Sequence, residues 1–419
     1  MSVTSIPART PAVSRVRRGL LGALWLVAFA VGLYGLAERV LHGHQLANYG
    51  SYIPWGLWVA LYIYFIGLSA GAFLLSSLIY VGGVKRLEKI GKLALFAALV
   101  ALLAALLSIW LDLGHPQRFW KVYTSGQPAS MMAWMVWLYT SYFLLVLAEL
   151  WLALRGDLVA WARRPGLSGA LARFLSFGSR DHSPLALSRD QRILRVLGVI
   201  GVPLAIAFHG GVGALFGVVG ARPFWNSSLY PILFLTSALA SGGALLTFVV
   251  AYFWPRRSTP EHRDTVTLLA QLTLGLVLLD LLMEWSEILV NLYAAIPAHA
   301  EAYRAFLFGQ HWWVFWIVHL VFGGVIPVAI LAAKGRSPSW AGAAGLLIAV
   351  SFLSVRLNIV IPGLVVPQMR GLETAFVDEL LSFEYIPSQM EWLVMVFILS
   401  FAVAFFFVGY RYLPLATSG

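Results

Sequence analysis

Apolar residues run through this chain in ten long stretches, near 20–37, 53–82, 91–112, 131–154, 194–219, 229–254, 266–293, 312–333, 340–361 and 392–410. At 1.5 Å of rise per residue, a helix of this length crosses roughly 30 Å of hydrocarbon. The pattern predicts an all-α integral membrane protein with about ten transmembrane helices. Lys and Arg are shared unequally between the polar segments. The N-terminal tail, the connections after even-numbered stretches and the C-terminus hold 21, against six on the other side: Arg39, Arg118, Lys121, Arg222, Arg304 and Arg370. By the positive-inside rule both termini and the long connection from Arg155 to Arg192 face the cytoplasm. Segments 113–130, 294–311 and the acidic 362–391 (Glu373, Asp378, Glu379, Glu384, Glu391) are then extracytoplasmic and open to a partner.

The tail carries Arg9, Arg15, Arg17 and Arg18 ahead of the run from Leu20 to Ala37, in the manner of a signal sequence. Glu38 and Arg39 follow in place of a small-residue cleavage site, so a retained membrane helix is expected. Composition supports the membrane reading: 60% of the 419 residues are apolar and 11% charged, with mean hydropathy +0.82. Soluble domains carry about 25% charged residues. The 17 Trp, 16 Tyr and 26 Phe suit aromatic belts at the two interfaces as well as packing. No cysteine is present, which excludes thiolate-ligated iron–sulfur clusters, CxxC redox chemistry and disulfides within the chain. The net charge of +11 is distributed by membrane side, so it is a topology signal and not a nucleic-acid one.

SAGAFLL from Ser69 echoes SGGALLT from Ser241. A parallel repeat would give two four-helix bundles, 53–219 and 220–361, after a cytoplasmic tail (1–19) and a first helix with its outer loop (20–52), and before a last loop and helix (362–419). Small residues at such positions also serve close helix packing without any shared ancestry.

Polar residues inside the apolar stretches are the candidate chemistry. LDLGHPQRFW (111–120) gathers Asp112, His115 and Arg118 where Gly114 and Pro116 end a helix. A hydroquinone gives up two protons with its two electrons, and a carboxylate and an imidazole beside a lipid-accessible cleft suit that transfer. His209, Tyr52, Trp55, Trp134, Trp137 and Tyr139 are expected near the same outer half, where aromatic walls would take a flat quinone ring. His209 and His319 fall at similar depth, as a bis-histidine haem needs, but in different expected bundles and without a second pair. Asp280, Glu284 and Glu287 share one face of the seventh stretch, at spacings of four and three. A buried charge there costs at least a few kcal/mol unless paired, hydrated or protonated. Arg356 lies at the depth of Glu284 and Glu287 and is the expected partner of one or both. Such a ladder suits a proton relay or a structural cluster. Glu149 is placed to begin an inner proton path, or to snorkel to the headgroups.

The segments PWGLWVALYIYFIGLSAGAFLLSSL (54–78), LDLGHPQRFW, ARPFWNSSLYPILFLTSALASG (221–242) and SVRLN around Arg356 resemble the NrfD/polysulfide-reductase membrane-subunit family across roughly the second to ninth stretches. RLNIVIPG and FEYIPSQMEW (383–392) look closer to its ten-helix members, the membrane subunits of periplasm-facing hydrogenases and of sulfite-reduction-linked complexes. The resemblance implies a quinone-interacting anchor without haem in the cytoplasmic membrane of a bacterium or archaeon. It exchanges electrons between menaquinone or ubiquinone and an extracytoplasmic, ferredoxin-like iron–sulfur subunit, and through that subunit serves a catalytic one, so that the chain is not catalytic alone. The family's quinone pocket in the first bundle corresponds here to Asp112, His115 and the aromatic start of the second stretch. Proton conduction through buried acids, implied in the same way, gives Glu284, Glu287 and Arg356 a role. Some members carry Asn or His where this chain has Tyr52 to Trp55. A secondary transporter and an inert tether are the rival classes.

Overall fold

The computed structural model describes residues 15–80, 90–254, 257, 259–294, 296–369, 371–376, 378 and 380–415. Arg9, the side chains of Arg15, Arg17 and Arg18, and also Arg370 and Glu379 lie outside them. The elements are α1 (Arg15–His42), α2 (Leu57–Tyr80), α3 (Gly91–Asp112), α4 (Lys121–Ser125), α5 (Met131–Trp161), α6 (Leu167–Leu175), α7 (Pro184–Gly217) and α8 (Tyr230–Phe253). They continue with α9 (Pro260–Ala294), α10 (Pro297–Phe308), a π-helical stretch (Val314–Val325) running into α11 (Ile326–Lys334), α12 (Pro338–Val360), the short α13 (Pro362–Val365) and α14 (Leu372–Ala375), and α15 (Gln389–Tyr412). The protein is thus all-α among its described residues, with a long helix at each of the ten apolar stretches. Nine are long and apolar enough to cross a membrane, which makes the chain a multi-pass membrane protein. The tenth, the 31-residue α5, is not in that set; it carries Glu149, Arg155 and Asp157 in its C-terminal half.

Between lipid-solvated helices the hydrophobic effect is weak, and association rests on close packing and hydrogen bonds. α2 shows the result: 94% of its most apolar window is buried, against 11% for α1 at the periphery. α2 packs on α3, α7, α8 and α12, and α8 in turn packs on α7, α9 and α12. α5 packs on α3 and α7, while α1 and α15 pair with each other and reach the rest through α3 and α2. The α2–α8 crossing runs through the two echoing segments themselves. A Cβ on Gly71 would overlap the Ala238 carbonyl, and one on Gly242 would overlap the backbone of Gly71 and Ala72. The small residues of the echo therefore have a packing role.

On the side where α3 ends, α1 and α15 close over the bundle. Gly43 turns the chain out of α1 in the left-handed region, at φ 62°. Arg39, counted from sequence among the loop cations, is a buried residue of α1: its Nε donates to Leu111 O at 2.8 Å and its Nη2 to Leu113 O at 2.7 Å. Those carbonyls end α3 and lack helical partners, so the guanidinium satisfies them and complements the negative end of the helix dipole. Arg222 acts alike, donating to the carbonyls of Gly363, Leu364 and Val366 beyond α12. The start of α15 has a capping box, Ser388 with Glu391, and the same buried Glu391 accepts from Asn48 N and Tyr385 Oη. His44 lies between Arg39 and Tyr49; burial first, and then the Arg39 charge, lower its pKa to about 4.

Gly71→Ala and Gly242→Ala will each destabilise the fold by about 1–3 kcal/mol, the range for overpacking a tight contact. Denaturant unfolding in detergent measures this, and a change within error of zero contradicts the crossing. A second prediction concerns acid. The unfolded chain takes a proton on His44 near 6.5 but the fold resists it until about 4. The unfolded state therefore binds more protons in that window, and the contribution of His44, full above 6.5, is lost as pH falls toward 4. Thermal unfolding of His44→Gln will fall less steeply over that interval than wild type; parallel curves would show that the ring does not titrate as described.

Candidate functional site

The helix end held by Arg39 forms one wall of a cavity of about 930 Å³. α2 contributes Trp55 from its entry turn and Tyr62; α3 contributes Leu103, Leu106, Leu107 and Asp112. The turn after it adds His115 and Arg118; α5 adds Met135, Tyr139 and Thr140; α7 adds Val212 and Phe216; α15 adds Phe397 and Phe401. Polar groups gather where the chain leaves α3, because Pro116 cannot continue the helix and a tight 3₁₀ turn, Pro116–Arg118, takes over. The rest of the wall is mostly aliphatic or aromatic. Trp55 is fixed from behind, stacked on Trp225 at 5.6 Å and edge-on to Phe216 at 5.8 Å.

Each polar group stands differently. Asp112 Oδ1 accepts from Tyr49 Oη at 3.2 Å, and Oδ2 has no hydrogen-bond partner among the described residues. His115 and Arg118 are exposed at the edge of the cavity. The Tyr139 hydroxyl is buried with the Tyr62 hydroxyl as its polar neighbour, in poor hydrogen-bonding geometry, while its ring stacks on Tyr62 at 5.5 Å and meets Phe208 edge-on at 4.6 Å. A buried hydroxyl left fully unsatisfied costs about 1–3 kcal/mol; a poorly satisfied one costs part of that, which a ligand in the cavity would offset. Tyr123 and Thr140 satisfy each other at 2.7 Å.

The structure thus brings Asp112, His115, Arg118, Trp55 and Tyr139 to one cavity and leaves two expected members outside it. Tyr52 stacks on Phe383 at 4.5 Å in the loop packing. His209 is fully buried, its ring in poor hydrogen-bonding geometry with the Phe234 backbone, on the side of α7 toward Gly67, Ser241 and Arg356. Trp134 and Trp137 are exposed outward, as belt residues are.

A second polar centre lies between α8, α9, the π-helical stretch and α12. It differs from expectation in its pairing. His319 Nε2 and Glu284 Oε2 are 2.6 Å apart, so the carboxylate assigned to Arg356 is held by an imidazole. Arg356 instead donates from Nη2 to Ser237 Oγ at 3.0 Å and lies 4.9 Å over the Phe234 ring, with Nη1 unpartnered among the described residues. Matching depth along two helices does not fix their rotation: Arg356 turns toward α8, while the wider π-helical turns bring His319 toward α9. Asp280 is buried, and Glu287 accepts from Asn291 Nδ2 at 3.3 Å. Asp280, Glu284, Glu287, Tyr230, Tyr303 and Asn358 share a cavity of about 40 Å³, enough for a water.

Glu149 is 1% exposed and its Oε1 has no partner among the described residues, so it does not snorkel. Toward the cavity on the same helix face, Tyr142 bonds Ser69 through its hydroxyl at 3.2–3.3 Å. Below it Arg155 pairs with Asp190, and Lys92 with Asp157. Sequence reasoning missed His319 as a partner of the acids, and missed Tyr49 altogether. His319 had a signal, an imidazole in an apolar run at the depth of the acids; Tyr49 sits in a polar loop with none.

The chain is 37% identical to a selenate reductase subunit of Mesobacillus selenatarsenatis, over 92% of this chain and 91% of that one. It is 28% identical to the Hdr-like menaquinol oxidoreductase integral membrane subunit of Archaeoglobus fulgidus, over 93% and 92% of the two chains. It is also 23% identical to the integral membrane subunit of the menaquinone reductase of Nitratidesulfovibrio vulgaris, over 94% and 90%. Residues 45–368, which span α2 to α13 and with them most of the walls of both polar centres, match the family described as Polysulphide reductase, NrfD, and the chain belongs to that family.

Proposed function

We propose that this chain is the quinol- and quinone-binding membrane subunit of a respiratory oxidoreductase, exchanging electrons with an extracytoplasmic iron–sulfur partner. The observation that carries the reading is the 930 Å³ cavity, largely apolar except at the end of α3, where Asp112, His115 and Arg118 converge. The names of the Archaeoglobus and Nitratidesulfovibrio relatives support it. So does the Lys and Arg asymmetry, which favours an extracytoplasmic position for that end of the cavity.

A bound quinone supplies two-electron, two-proton chemistry; the chain supplies position and proton traffic. Trp55 and Tyr62 give flat faces to a ring, and the poorly satisfied Tyr139 hydroxyl gives it a hydrogen bond. His115 and Asp112, an imidazole and a carboxylate at one end, take or return protons. The aliphatic wall of α3 and Phe397 and Phe401 of α15 accept the isoprenoid chain. Arg118 lies at the rim, where the partner or an anionic headgroup meets the protein. Because the chain has no thiolate, the electrons leave to a cluster on the partner. Glu149, and separately Asp280, Glu284 with His319, Glu287 and Arg356, are the buried groups through which coupled proton movement would run.

Titrating the purified protein with a menaquinone analogue will quench tryptophan fluorescence saturably, since Trp55 and Trp110 line the cavity. His115→Ala will weaken the affinity about tenfold, or about 1.4 kcal/mol. Wild-type titration without saturation overturns the reading in favour of a transporter or a tether. Tyr139→Phe will weaken analogue binding by about threefold to tenfold with little change in thermal stability, because the hydroxyl's protein neighbour, the Tyr62 hydroxyl, is poorly aligned with it; equal affinity would remove Tyr139 from the site. Asp280→Asn lies outside the cavity and will leave the analogue affinity within about twofold of wild type, while slowing proton movement in liposomes containing the assembled complex. A large affinity loss would place the ligand in the second polar centre.

A further inference from the structure

The cavity wall around Asp112 is completed from outside by Tyr49 and by α1, neither of which lines the cavity. Tyr49, in the connection between α1 and α2, is buried and donates to Asp112 Oδ1 at 3.2 Å without being a lining residue. Arg39 grips the carbonyls on both sides of Asp112, at Leu111 and Leu113. Both rest on Trp58, which is fully buried: Tyr49 is edge-on at 6.1 Å and the Arg39 guanidinium is 5.8 Å above the ring. Trp58 is fixed in turn by donation from Nε1 to Glu391 O at 3.0 Å, at the capped start of α15.

We infer that Tyr49 is a positioning residue for the quinone chemistry, holding one oxygen of Asp112 so that the other is presented to the cavity, with Arg39 fixing the backbone on either side. This rests on the quinone reading. A carboxylate on the last turn of a helix is free to rotate about two bonds, and a side chain used for proton transfer must be held close to one geometry. A single donor on Oδ1 does so and leaves Oδ2 the protonatable atom. The Tyr49 phenol is suited to donate, because burial, and then the Asp112 charge, raise its pKa. The charged and titratable groups around this carboxylate are Tyr49 and Arg39, with Glu391 and His44 behind them and His115 and Arg118 on the cavity side.

Redox difference infrared spectroscopy tests this on the full-length chain reconstituted with a short-chain naphthoquinone, the electrode supplying the electrons. Reduction will produce a carboxyl C=O band that is absent in Asp112→Asn. In Tyr49→Phe, with thermal stability and naphthoquinone affinity measured alongside, the band will persist at a shifted frequency. Incorporating 3-fluorotyrosine at position 49, a stronger donor of nearly the same size, will shift it in the opposite direction; it serves also if Tyr49→Phe does not fold. A band lost in Asp112→Asn but unmoved by both Tyr49 changes overturns the inference and leaves the quinone reading standing. A band that survives in Asp112→Asn removes Asp112 from the proton chemistry, and both readings of that residue fall.

Discussion

The close crossing of α2 and α8 is the constraint on which the rest of the structure depends. In lipid, two apolar helices gain little from touching unless their backbones come near enough for dense packing. Gly71 and Gly242 allow that approach, leaving no room for a Cβ on either side. With α2 pressed onto α8, the remaining helices fall on two sides of the pair. α3, α5 and α7 surround the large cavity with α2, and α9, the π-helical stretch and α12 surround the acidic centre with α8. Arg356 sits against this central pair, bonded to Ser237 of α8 and near Gly67 of α2.

The two polar centres solve the cost of burial differently. At the end of α3 the polar groups lie at the rim of an apolar cavity, where helix-end carbonyls are satisfied by Arg39 and a carboxylate by Tyr49. In the acidic centre the charges are mostly internal, and pairing of His319 with Glu284, contact of Arg356 with Ser237 and Phe234, and a water-sized cavity replace solvent. The first arrangement has room for a ligand of substantial size. The second has room only for water and protons.

The sequence was legible wherever one residue or one run carries its own physics. Apolar length predicts all ten long helices, and Gly114 with Pro116 predicts the end of α3. Asp112, His115, Arg118, Trp55 and Tyr139 were read together because they lie near one depth on neighbouring stretches, and they do share the cavity. What failed was helix rotation and long-range loop placement. Arg356 and Glu284 match in depth, yet a π-helical turn gives Glu284 to His319. His209 is on a cavity helix but faces the centre of the bundle. Arg39 was counted as a loop cation and is a buried cap on another helix, 72 residues away. Periodicity along one helix does not encode such pairings.

Photo-crosslinking with an azido-naphthoquinone, followed by mapping of the labelled peptides, tests most directly that the large cavity is the quinone site. The account predicts label confined to the cavity walls, on the segments around Trp55 to Ile63, Leu103 to Phe143, Val212 to Phe216 and Phe397 to Phe401, and suppressed by excess unlabelled quinone. Label concentrated on α9 and α12, or label that competitor does not suppress, would contradict it.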